Sequence, residues 1–205
     1  MKIRSYALPL LLSLTALTAL TGCAPLVVGG AMVGGALVAT DRRTAGTQLE
    51  DEGIEVKATL RLKEQLGDRV HINANAYNRV LLLTGEVKEE ADKARAEEIA
   101  ARVDNVSRVV NELQYGFLSS LKSRAGDIAV KTKVLATLVD AQDLQSNAFQ
   151  VVVERSEVYL MGRVTEREAH RAVELVRGIP GVAKVVKVFE ILTEDELARL
   201  RPAKK

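Results

Sequence analysis

At 205 residues, with 29 Lys and Arg against 27 Asp and Glu, the chain lacks the charge surplus that bulk attraction to nucleic acid requires. Its single cysteine excludes an internal disulfide, and three Phe, four Tyr and no Trp leave no recognisable aromatic platform for sugars. Hydrophobic residues make up 47% of the chain, but residues 5–39 are almost uncharged and inflate that figure for the remainder.

Lys2 and Arg4 precede an apolar run from Ser5 to Leu20, the layout of a secretory leader and too short for a comfortable transmembrane helix. Leu20-Thr21-Gly22-Cys23 then resembles a bacterial lipobox, so residues 1–22 are read as a signal peptide and Cys23 as the lipidated residue. Two of the 29 basic residues leave with the leader, and 27 against 27 makes the mature chain formally neutral. Ala24 follows the cysteine in place of the Asp that marks inner-membrane retention in enteric lipoproteins, and by resemblance to that rule the outer membrane is the expected destination. Acyl chains hold stably, at about 0.8 kcal/mol per buried methylene. Residues 23–48 are read as a Gly- and Val-rich tether. Its uncharged part, 24–39, lies at the bilayer surface or packs in the membrane as a small-residue helix, and Thr44 to Gln48 form a linker.

Ile54, Ala58, Leu62 and Leu66 recur every four residues and predict an amphipathic helix with Glu55, Lys57, Arg61 and Lys63 outside, stopped at Gly67-Asp68. Val70, Ile72, Ala74 and Ala76 alternate with His71, Asn73 and Asn75 in a half-buried strand. Asn78-Arg79 turns that strand into Val80 to Val87. Ala91, Ala94, Ile99 and Val103 mark a second helix, and Val106 to Tyr115 a third strand.

The same order then returns. A helix is predicted from about Asp127 to Ala141, a hairpin from Ala148 to Val164 turning at Arg155-Ser156, and a second helix opened by a capping box of Thr165 and Glu168. Ile179-Pro180-Gly181 ends that helix, and Val182 to Leu192 form the last strand. A short helix capped by Thr193 and Glu196 precedes the basic end at Lys204-Lys205. Ile54, Ala58 and Leu62 reappear 76 positions later as Val130, Val134 and Leu138, and Gly85 reappears 77 later as Gly162. The fold class is therefore α+β, two tandem αββαβ units with a three-stranded sheet under two helices in each. Units of about 65 residues are only marginally stable alone.

Gly85 and Gly162 after an apolar strand, the Ala-rich second helix and Gly-Val-x-x-Val-Val at Gly181 to Val186 resemble the BON domain. Two such domains behind a lipobox resemble the DolP- or YraP-like family of outer-membrane lipoproteins. Asn105 stands where the pattern prefers Gly, and Asn tolerates the left-handed turn. The resemblance sets the first BON domain at 49–116, the second at 117–192 and a C-terminal helix and tail at 193–205. It implies a periplasmic, non-catalytic protein that binds anionic phospholipid through the first helix of its second domain and preserves the outer-membrane barrier.

The two copies differ on that helix. Beside its core stripe, Ile128, Leu135 and Val139 form a second apolar stripe roughly 120° away, whereas copy one has Glu52, Thr59 and Lys63 there. Lys131 lies between the stripes, Arg124 just before the helix, and Lys133 on the far flank. These six residues, Arg124, Ile128, Lys131, Lys133, Leu135 and Val139, are the expected phospholipid site, with Asp140 and Asp143 repelled at the far end. No Trp or Tyr accompanies them to favour an interface. The same stripe is also open to packing against the first domain or to a protein partner, such as an outer-membrane assembly, cell-wall or cell-division protein. Tyr115 to Leu118 are expected to pack at the junction of the copies.

No cofactor motif, catalytic triad or metal spacing is legible, and enzyme activity is not expected. His71 and His170 fall at unrelated positions and are read as solvated, and Gly85 and Gly162 as places of close backbone approach.

Overall fold

Side-chain oxygens start both long helices in the structure, a computed structural model describing residues 41–200. Thr44 accepts from the Thr47 amide ahead of α1 (Ala45–Leu66), and Ser120 from the Ser123 amide ahead of α3 (Leu121–Asp140). Both starts correct the sequence reading. Thr44 to Gln48 are cap and first turn rather than linker, and Arg124 lies inside α3 rather than before it. Cys23, residues 1–22, the uncharged tether and Lys204-Lys205 lie outside the described residues.

The chain runs α1, β1 (His71–Tyr77), β2 (Val80–Val87), α2 (Glu90–Ala101), β3 (Arg108–Asn111) and β4 (Gln114–Tyr115) through copy one. Copy two follows as α3, β5 (Phe149–Glu154), β6 (Glu157–Thr165), α4 (Glu166–Arg177) and β7 (Lys184–Leu192), with α5 (Glu194–Leu200) last. In each sheet the second strand is central. β1 pairs antiparallel with β2 and β5 with β6, while β3, β4 and β7 run parallel to the central strand after a helical crossover.

Gly67 ends α1 with a positive φ, and the Thr165–Glu168 capping box opens α4 as expected. Asn78-Arg79 and Arg155-Ser156 all have positive φ, the backbone a two-residue hairpin requires. A Cβ at Gly85 would overlap the His71 carbonyl oxygen, and one at Gly162 the Ala148 carbonyl oxygen. The sheets therefore close only around glycine at these two points.

Two details differ from the expectation. The third strand of copy one is broken at Glu112-Leu113, where Leu113 turns into the core and its amide donates to the Asn111 side chain. Along α2 the buried residues are Asp92, Ala96, Ile99 and Ala100, whereas Ala91 and Ala94 are exposed. Alanine is short enough for either face and misplaces the stripe by part of a turn.

The helix-facing core of copy one joins Ile54, Ala58, Leu62, Leu81, Leu83 and Ile99, and that of copy two joins Val130, Val134, Leu138, Val158, Leu160 and Val176. A third core mixes the copies: Tyr77 and Leu82 pack with Val152, Tyr159, Met161 and Val188. The two sheets are thus stacked face to face between outer helix layers. This explains the unbroken apolar runs Val80 to Leu83 in β2 and Val158 to Met161 in β6, since each central strand is covered on both faces. Burial pushes the Tyr77 phenol up to about 12, so it stays protonated and donates to the Ala148 carbonyl across the junction.

Candidate functional site

Leu121, Ile128, Leu135 and Val139 fall within about 40° of one line along α3. All four stand in solvent, at 83%, 67%, 42% and 66% exposure, while Val130, Val134 and Leu138 are buried on the core side. The copies join through their sheets, so the first domain does not cover this stripe. Leu121 extends it by two turns beyond the predicted start. The signal is a spacing of seven back from Ile128, obscured by Gly126, a poor helix former inside the helix.

Tyr115 and Phe117, expected to pack at the junction, are also exposed, Phe117 at 92%. They sit in the segment leading into α3 and place two exposed aromatics just ahead of the helix in the chain, where the sequence reading assigned them to the junction.

Copy one is not bare of exposed apolar residues either. Leu49, Val56 and Leu60 line the outer face of α1, which corrects the view that only one of the two helices is apolar on two faces. Charge separates the helices instead. α1 carries five acids (Glu50, Asp51, Glu52, Glu55, Glu64) against three bases (Lys57, Arg61, Lys63), but Asp51 is buried, which leaves four acids against three bases. α3 carries four bases (Lys122, Arg124, Lys131, Lys133) against Asp127 and Asp140. Asp127 is buried and accepts the Arg155 and Ser156 amides at 3.0 and 2.8 Å, so the surface of α3 is cationic until its last residue.

The cations of α3 divide. Lys133 reaches the Pro180 carbonyl at 3.4 Å on the far flank. Arg124 and Lys131 line an open cleft of about 510 Å³ between the copies, with Ile128, Asp127, Thr59, residues 71–75 and 152–154. The Arg124 Nε is buried there and has no hydrogen-bond partner among the described residues.

At this cleft the structure brings together three residues that the sequence does not connect. His71 Nδ1 lies 3.0 Å from Glu86 Oε2, and Glu154 from β5 completes a group whose donor atoms all lie within 4.8 Å. The reading of His71 as solvated is therefore corrected. The face it shares with Asn73 and Asn75 looks onto the second sheet, and Asn73 donates to Glu154 at 2.7 Å. Burial works to raise the Glu86 carboxyl, but the Ser119 hydroxyl and His71 outweigh it and hold the group below its usual range. Glu154 is pushed up by burial, opposed by His71 and reinforced by Glu86. His170 is exposed on α4 beside Glu174, as expected of a solvated histidine.

The architecture defines a duplicated α+β module whose two sheets share a core. The BON domain model matches residues 51–116 and again 126–193, and the chain belongs to the BON-domain family, with two copies in tandem. It is 35% identical over 175 residues to "Outer membrane lipoprotein DolP" of Haemophilus influenzae, covering 84% of this chain and 90% of that protein. The expected resemblance to dual-BON, DolP-like proteins is borne out. It is also 31% identical over 151 residues to the "21 kDa hemolysin" of Actinobacillus pleuropneumoniae, covering 73% of this chain and 78% of that one. Among solved structures, CdsD, a structural protein of the type III secretion system of Chlamydia trachomatis, is 15% identical over 72% of this chain and 98% of its own, at a TM-score of 0.30, too low to carry an argument.

Proposed function

We propose that this protein is a non-catalytic lipoprotein anchored through Cys23 at the periplasmic face of the outer membrane, and that it binds anionic phospholipid through α3 and supports the membrane barrier. The observation that carries this reading is the pairing of an exposed apolar stripe with a cationic surface on α3, set against a comparable stripe on an α1 of nearly balanced surface charge. Burying the stripe contributes about 25 cal/mol per Å², and each cation near an anionic surface about 1 kcal/mol. The α1 stripe lacks that cationic surplus, with Lys57 and Lys63 offset by Glu52 and Glu64. The name of the Haemophilus relative supports the location, and the hemolysin name of the other is in keeping with membrane contact. In the described residues no helix is long and apolar enough to cross a membrane.

The proposed tether from residue 23 ends before the Thr44 cap of α1, and the two domains are proposed at 49–116, preceded by the first turn of α1, and 117–192. The experiment is liposome binding by the protein freed of its lipid. Leu135→Glu with Val139→Glu should weaken binding to anionic vesicles at least about tenfold, and raised salt should weaken it further. Unchanged binding in that variant would remove α3 as the site.

A scaffold role rests on a different observation. Leu49, Val56 and Leu60 on α1 form an exposed apolar strip on a helix of nearly balanced surface charge, which suits a protein surface such as an assembly or cell-division partner. Crosslinking from position 56 that captures a protein, with position 135 capturing lipid, would assign the two helices separate tasks.

A further inference from the structure

We propose that His71, Glu86 and Glu154 form a binding site for a divalent transition-metal ion, Zn2+ by its donor set, at the junction of the two copies. Two ligands come from β1 and β2 of copy one and the third from β5 of copy two, so the ion would staple the sheets together. The donor atoms lie within 4.8 Å of one another, and a small inward movement brings them to the spacing of ligands around one ion.

The independent sign is at Glu154. The residue is 6% exposed, one carboxylate oxygen accepts from Asn73, and the other, Oε1, is buried with no hydrogen-bond partner among the described residues. A bare carboxylate oxygen next to a second buried carboxylate is expensive unless a cation meets it. The supporting contacts a metal site needs are present: Asn73 orients Glu154, and the Ser119 hydroxyl orients Glu86. His71 and Glu154 line the interdomain cleft, which supplies an entry path, while Glu86 closes the site from behind.

The fold does not demand this cluster. Arg163 occupies in copy two the place of Glu86, one residue after the matching glycine, and pairs with Glu190 at 3.0 Å. One imidazole and two carboxylates favour zinc or a similar ion over calcium or magnesium, which take oxygen alone. Arg155, 3.6 Å from the Glu86 oxygen turned toward Ser119, is the competing charge that the ion must displace.

The test is calorimetric titration of the full chain in neutral detergent with Zn2+ alone, after stripping with a chelator. Binding of one ion per chain is expected, weakened at least about tenfold by His71→Ala and by Glu154→Gln. His170→Gln, which removes the other histidine, should leave it unchanged. If either site variant fails to fold, zinc X-ray absorption on His170→Gln decides: a nitrogen and oxygen shell at about 2.0–2.1 Å with one imidazole supports the site. No binding by the native chain, binding that survives both site variants, or a shell without imidazole would overturn it. In either of the first two cases, the cluster is a histidine–carboxylate pair beside a second buried glutamate.

Discussion

Each hairpin turn is held by a carboxylate from the helix that opens its copy. Asp51 accepts the Asn78 and Arg79 amides at 2.8 Å each, and Asp127 does the same for Arg155 and Ser156. Both aspartates are buried, and they sit one turn ahead of the core stripes at matching repeat positions. Asp127→Ala leaves two turn amides without a partner, and charge-assisted bonds of this kind contribute about 1.5–3 kcal/mol. Urea unfolding should show a loss of that size, and a loss under about 0.5 kcal/mol would mean that water replaces the carboxylate. The signal is present in the sequence, since the 76-residue offset relates Asp51 to Asp127. It escapes notice because an acid on a helix reads as solvated until the turn above it is known.

A second residue-scale contact ties the start of the described chain to copy two. Arg42 donates to both Glu168 oxygens at 2.8 and 2.7 Å, and both side chains are 4% exposed. Burial works to raise the Glu168 carboxyl, but Arg42 and the Thr165 amide outweigh it and hold it below its ordinary value of 4.5. A carboxyl whose folded pKa is depressed contributes stability that is present above the unfolded value and lost as pH falls through the folded one. The urea midpoints of the native chain and Glu168→Gln should therefore differ by a constant amount above about pH 5.5 and converge below about pH 4.5. A gap that persists unchanged into acid would contradict the pairing. No sequence pattern announces this contact, because it joins residues far apart in the chain that no repeat relates.

At the scale of elements, α3 is partly legible. Its exposed stripe follows from periodicity at Ile128, Leu135 and Val139, but its first turns do not, because Gly126 interrupts the propensity signal and Ser120 is an inconspicuous cap. Comparison of the copies by matched position finds polar residues opposite the α3 stripe and misses Leu49, Val56 and Leu60, which occupy another face of α1. The electrostatic contrast between the helices separates their behaviour. The matched control for the α3 variants is Val56→Glu with Leu60→Glu, which puts the same change on the exposed strip of α1. That pair should leave binding to anionic vesicles within about twofold of native, while Lys131→Glu on α3 should reduce it. Equal losses from both helices would mean that either apolar strip meets the lipid and charge does not choose between them.

At the scale of the molecule, the sequence makes the two copies visible but not their arrangement. His71, Asn73 and Asn75 alternate with apolar residues, and a polar period of two says only that one face differs from the other. What covers that face is a tertiary matter, and here it is the sibling sheet. The continuous apolar runs of β2 and β6 are the available hint, because a strand covered on one side only would alternate. Sharing a core also relieves the marginal size of each unit. Tyr159→Ala, which empties the centre of the intersheet layer, should cost about 3–5 kcal/mol, and calorimetry should show both copies unfolding in one transition. Two separate transitions in the native chain would show that the copies fold independently.

The most direct measurement of the central claim is a residue-resolved NMR titration of the protein lacking its first 40 residues with anionic micelles, and with neutral micelles for comparison. Perturbations should centre on Leu121, Ile128, Lys131, Leu135 and Val139 and fade with neutral lipid. A response centred on α1, or one indifferent to lipid charge, would contradict membrane docking through the cationic helix of the second copy.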